Sequence, residues 1–154
     1  MTALERICTA LGRAELRFAI VGGHAVALHG AVRGTVDIDV AIAWNRKSLE
    51  TAEKALTDIG LVSRIPVSAG EVFEFRDEYI KNRNLVAWNF YNPNDLSEQV
   101  DIVIAYDLKG KRIRKIQLAN ATVPILGLKE LIDMKTHSGR PQDLEDVRAL
   151  EKLR

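Results

Sequence analysis

The chain has 154 residues, 47% hydrophobic and 28% charged, with 22 Lys+Arg against 21 Asp+Glu for a formal net charge of +1. That length fits one domain, residues 1–154, able to bury roughly two-thirds of the surface its unfolded chain exposes, and the near-balance of charge excludes a general drive toward nucleic acid or membrane. A lone cysteine, Cys8, excludes an internal disulfide framework and points to a reducing compartment.

Leu4, Ile7, Cys8 and Leu11 recur at helical spacing, so the pattern predicts an amphipathic helix over 2–14 with Cys8 as a small core residue. Charges at Glu5, Arg6, Arg13 and Glu15 break up any signal-peptide core, and no apolar run approaches the ~20 residues of a membrane span; a cytoplasmic protein with no membrane partner is expected. Phe18–Val21 reads as a buried strand entering a Gly22-Gly23 turn, HAVALH as a short helix closed by Gly30, and VDIDVAIA (36–43) as a second strand. A helix follows over 46–59, stopped by Gly60. The charged stretch 61–84 has no clear period. Then come strands over 85–91 and 99–106 joined by an NPND turn, a strand or loop at 112–118, a helix around Leu128–Lys135 broken at Ser138-Gly139, and a last helix opened by Pro141 and acids in its first turns. The expected class is mixed α/β with a C-terminal helical pair.

Residues 18–42 carry the chemistry. Asp37 and Asp39 lie two apart on a predicted strand, so their carboxylates share a face while Ile38, Val40 and Ile42 turn to the core. Two such carboxylates repel, and a divalent cation supplies the charge that keeps both ionised. Asp101 sets one more acid into the apolar run QVDIVIA, where it is costly unless paired or bound to metal. If the two strands are neighbours, three carboxylates converge, the hard-oxygen set that magnesium takes together with phosphate. Gly22 and Gly23 let backbone approach a ligand, and Arg33 and Thr35, just before the acid pair, offer phosphate contacts. His24 and His29 read as packing residues, since magnesium prefers oxygen.

Gly22-Gly23, then Arg33-Gly34-Thr35 and Asp37-Ile38-Asp39 about fifteen residues on, with Asp101 on a later strand, resemble the signature of the DNA polymerase β-like nucleotidyltransferase superfamily. The C-terminal LKELIDMKTHSGRPQDLEDVRALEKL resembles the tail of small bacterial members, including AbiEii-type toxin nucleotidyltransferases, through Lys135, Arg140, Asp143 and Asp146. The resemblance implies the nucleotidyltransferase fold, a mixed central sheet flanked by helices. It implies that Asp37, Asp39 and Asp101 bind Mg2+ (or Mn2+), that Asp101 helps deprotonate the attacking hydroxyl, and that Lys129 or Lys135 contacts nucleotide phosphate or acceptor. The substrate would be a nucleoside triphosphate (NTP). The acceptor would be a hydroxyl of a tRNA, a protein or a small molecule, and the setting a toxin with a cognate antitoxin. The competing reading is a catalytically silent member that binds nucleotide or a partner protein.

Overall fold

The helix over the N-terminus, α1 (Ala3–Arg13), buries Leu4, Ile7, Cys8 and Leu11 as their spacing predicts. Thr2 starts it: its hydroxyl accepts from the Glu5 N–H, and the Glu5 carboxylate accepts from the Thr2 N–H, satisfying two donors that a helix start leaves open. Burial pushes the Cys8 thiol up to about 12, so it serves as an apolar core group.

This computed structural model describes residues 1–83 and 85–154. After α1 the elements are β1 (Phe18–Val21), α2 (Gly22–Leu28), β2 (Ile38–Ile42), α3 (Arg46–Asp58), β3 (Val62–Ser63), α4 (Ala69–Glu74), α5 (Arg76–Asn82), β4 (Ala87–Asn92), β5 (Asp95–Val103), β6 (Ile113–Gln117), β7 (Thr122–Leu126), α6 (Leu128–Ser138) and α7 (Pro141–Glu151). The strands form one mixed sheet in the order β3-β4-β5-β2-β1-β7-β6, with β2–β5 and β1–β7 parallel and the other pairs antiparallel. All four residues of β1 are buried, the continuous apolar run of a strand covered on both faces. β4 and β5 instead alternate. Trp88, Phe90, Val100 and Ile102 enter the core, while Asn89, Tyr91, Gln99 and Asp101 keep part of their surface exposed. The Trp88 indole N–H donates to Ser63 Oγ at 2.8 Å, which satisfies the one polar atom of that buried ring.

Three elements differ from the sequence expectation. Gly22 and Gly23 are the first residues of α2 itself, so strand runs into helix without a separate turn. The stretch 61–84 holds β3, α4 and α5, with α4 begun by a reciprocal Ser68–Glu71 cap; Asn84 lies outside the described residues. A seventh strand, β7, carries Pro124, and its pairing with β1 is limited to Ile20 opposite Ile125, where a missing N–H costs little. Gly139, at φ +65°, closes α6, and Pro141 takes the first position of α7.

Candidate active site

The register of three strands assembles the acids. Val21, the last residue of β1, lies opposite Asp39, and Asp39 lies opposite Asp101 across the parallel β2–β5 pair. Side chains directly opposite on adjacent strands project to one face, so the Asp39 and Asp101 carboxylates are neighbours. Asn89 is opposite Asp101 on β4 and joins that face. Its amide donates to Asp101 Oδ1 at 2.8 Å and to Gln99 Oε1 at 3.2 Å, and its carbonyl accepts from Arg64 Nε at 2.8 Å. Arg64 therefore fixes the amide, and the amide fixes one oxygen of Asp101. Asn89 went unnoticed in the sequence, although an amide in the middle of AWNFY is the kind of break in an apolar strand that singled out Asp101.

Contrary to the expected strand over 36–43, β2 begins at Ile38, so Asp37 stands exposed just before it and strand alternation does not set its side chain beside that of Asp39. Burial foremost, then the charges of Asp101 and Asp37, push the Asp39 carboxyl up to about 7, against the opposing pull of Lys135 and Arg140. His24, on the first turn of α2, is lowered by burial, partly offset by a hydrogen bond to the Val36 backbone and by the Asp37 charge. His29 contacts the Leu126 carbonyl through Nε2 at 2.7 Å.

Among the described residues no three His, Cys, Asp or Glu groups converge tightly enough to cage an ion alone. Magnesium does not require such a cage: it keeps waters and is held by one or two carboxylates with substrate phosphate completing the shell. The donor set fits that chemistry, since Asp39 and Asp101 are side by side, oxygen-only, and carry a mutual repulsion that a cation relieves.

Gly22 packs against Asp39. Its φ is +71°, and a Cβ built on it would lie 2.0 Å from Asp39 Oδ2. A Cβ on Gly23 would lie 2.6 Å from Thr35 Cβ, so the loop before β2 packs directly on the helix start. Gly22→Ala should lower stability by about 1–2 kcal/mol from the left-handed backbone alone, and more from displacement of Asp39. Chemical denaturation should show the loss, and divalent-cation titration should show weakened binding; unchanged cation affinity would mean that Asp39 is free to move.

The α6–α7 pair adds a buried ionic cluster. Lys135 Nζ is 2.8 Å from Asp146 Oδ2 and 3.6 Å from Asp143 Oδ1, with all three side chains under a tenth exposed. Arg33 Nε donates to Asp146 Oδ1 at 3.0 Å, which ties the loop ahead of β2 to α7. Burial works to raise Asp143, but hydrogen bonds from Arg140 and Ser138 and the charges of Arg140 and Lys135 hold it below its ordinary value. Lys129 is exposed at the start of α6, beside Arg112 and Arg114. Lys135 is six positions further on, about 9 Å along a helix and on a different side.

The chain matches the family described as "Nucleotidyltransferase of unknown function (DUF6036)" over residues 2–153. No curated protein matches it. Among solved structures it is similar to the lincosamide antibiotic adenylyltransferase LnuA bound to lincomycin, at TM-score 0.63 and 13% identity over 99% of this chain and 96% of that one. It is also similar to the antibiotic-resistance factor ANT(2'')-Ia, at 0.59 and 15% over 96% and 80%. A nucleotidyltransferase-like protein of Paracoccidioides brasiliensis gives 0.63 and 15% over 99% and 75%. At these identities the structural matches bear on the fold, which is the nucleotidyltransferase fold. Because the family match takes in nearly the whole length, the chain belongs to the DUF6036 family of nucleotidyltransferases.

Proposed function

We propose that this chain moves a nucleoside monophosphate from an NTP to a hydroxyl acceptor, through a site built on Asp37, Asp39 and Asp101. The observation that supports it best is the in-register pairing of Asp39 with Asp101, with Gly22 close against Asp39. Asp37, Asp39 and Asp101 would hold Mg2+ (or Mn2+), which when bound neutralises the phosphate charge that develops in transfer. Gly22 and Gly23 bring backbone N–H groups to the triphosphate, with Thr35 and Arg33 beside them; Lys135, or the more distant Lys129, adds a cation. Asp101, oriented by Asn89, accepts the proton of the acceptor hydroxyl. The hydroxyl oxygen bonds to the α-phosphorus, the α–β bridging bond breaks, and pyrophosphate leaves.

The acceptor is a tRNA, a protein or a small molecule. LnuA is by description a lincosamide adenylyltransferase, and ANT(2'')-Ia has been seen in complex with adenylyl-2''-tobramycin, so this fold serves small hydroxylated acceptors. The AbiEii-like tail favours instead a cytoplasmic toxin, held by a cognate antitoxin and acting as a single domain.

Pyrophosphate release measured with each NTP, with and without Mg2+ or Mn2+, tests the reading. Turnover that requires the cation is expected. If neither turnover nor cation-dependent NTP binding is seen, the silent member of the fold is the correct description.

A further inference from the structure

The net charge of +1 conceals a segregation. From Lys109 to Lys115 the chain reads KGKRIRK, five cations and no acid, and it leads into β6, an outer strand of the sheet. Edge strands commonly carry a lysine or two, which is enough to discourage pairing with another chain. Here the cations continue onto neighbouring elements. A cavity of about 560 Å³ between β6 and the start of α6 is lined by Arg112, Arg114 and Lys129, with Glu130 its one acid. A second, of about 730 Å³ between β6 and the end of α1, is lined by Arg17, Lys111, Arg112 and Lys115, with no acid. Arg17 donates to the Leu108 and Lys111 carbonyls at 3.1 and 2.5 Å, so one more cation pins the turn that presents Lys109 and Lys111.

Among the described residues none of these cations shares an ion pair with a carboxylate. Concentrated like charge opposes folding, and stability alone would be better served by a second acid in the first cavity and by any acid in the other. An external anion would supply the opposite charge that these cations lack. Arg112 and Arg114, two apart where the chain enters β6, stand about 6.5–7 Å apart in extended backbone, close to the separation of successive phosphates along an extended single strand. Arginine forks match phosphate oxygens two at a time.

We propose that the β6 edge and its two flanking cavities bind the phosphodiester backbone of a single-stranded nucleic acid. The strip begins at the same end of the sheet as the candidate active site. β1 and β7 run parallel with Ile20 opposite Ile125, and Gly127, just past β7, donates its N–H to the Arg112 carbonyl. A strand lying along β6 therefore leads to the rim where Gly22 and Asp39 stand. This goes beyond the transfer reaction and does not depend on turnover.

Fluorescence anisotropy with a labelled single-stranded RNA, titrated at several salt concentrations, tests the proposal. The wild type should bind with affinity that falls as salt rises. Arg114→Glu/Lys115→Glu should weaken binding by about tenfold or more and reduce the salt slope by about two, while its circular dichroism and NTP binding stay those of the wild type. Arg114→Lys/Lys115→Arg should bind normally, which separates charge from folding. Asp39→Asn should keep RNA binding, so that a failed transferase reading leaves this result readable. No binding by the wild type, or indifference to the charge reversal, overturns the proposal. So does tight binding of a polyglutamate peptide with no binding of RNA, which would make the strip a docking edge for an acidic protein.

Discussion

Asp39→Asn should abolish nucleotidyl transfer, by on the order of a thousandfold, and at the same time stabilise the metal-free protein above neutral pH. Both effects have one cause. Asp39 is the acid most pressed by its surroundings, with burial, Asp101 and Asp37 together lifting its carboxyl to about 7. In the unfolded chain it titrates near its ordinary 3.8. Between those values the folded state holds a proton that the unfolded state has released, so the wild type loses stability as pH rises through that window and stays at the lower level beyond it. Asparagine carries no charge to lose. Thermal melts in chelator should therefore show the variant above the wild type at pH 8 and the two converging toward pH 4. Divalent cation should reverse the order at pH 8, because it stabilises only the protein that binds it. A residue whose removal stabilises the fold and destroys activity is retained for chemistry. In the toxin setting, the same substitution should relieve growth arrest on expression. Equal melting of wild type and variant at pH 8 in chelator would show that Asp39 is not under the stress described.

Much of this site is legible in the sequence because it is local or periodic. The solitary acid of QVDIVIA and the outward turn of Asp39 need only strand alternation to be read, and the pairing of β2 with β5 brings 39 opposite 101, whereas Asp37 precedes β2 and is not placed by that alternation. What escaped is of two kinds. Short or irregular elements give too few residues for a period to show: α4 and α5 have six and seven, and β7 hides behind Pro124, although the Ser68-x-x-Glu71 cap was readable as a helix start. Long-range partners are the other kind. Arg33 and Asp146 are 113 positions apart, and nothing in either neighbourhood names the other. Asn89 is a nearer case: its amide breaks the apolar strand and lies within an expected hairpin, but its partner is fixed only by the register that sets it opposite Asp101.

Lys135→Met should cost about 3 kcal/mol of folding stability, the low end for opening a buried ion pair. Asp146 keeps Arg33 and Asp143 keeps Arg140 as remaining counter-charges, which is why the low end applies. What remains to be separated is whether Lys135 only clamps α6 to α7 or also acts on bound nucleotide. Its charge lowers the Asp39 carboxyl, so its loss should push that group further up even in a well-folded protein. Lys135→Met/Asp146→Asn resolves the question, because it removes the charge and most of its buried counterpart together and should return much of the lost stability in urea denaturation. If the lysine is a clamp alone, NTP affinity returns with stability. If it faces phosphate, stability returns, while NTP affinity stays at least about tenfold reduced, the loss of one charge-assisted contact. The second outcome is expected, since a lysine needed only to join two helices has no reason to stand within the field of a carboxylate on β2.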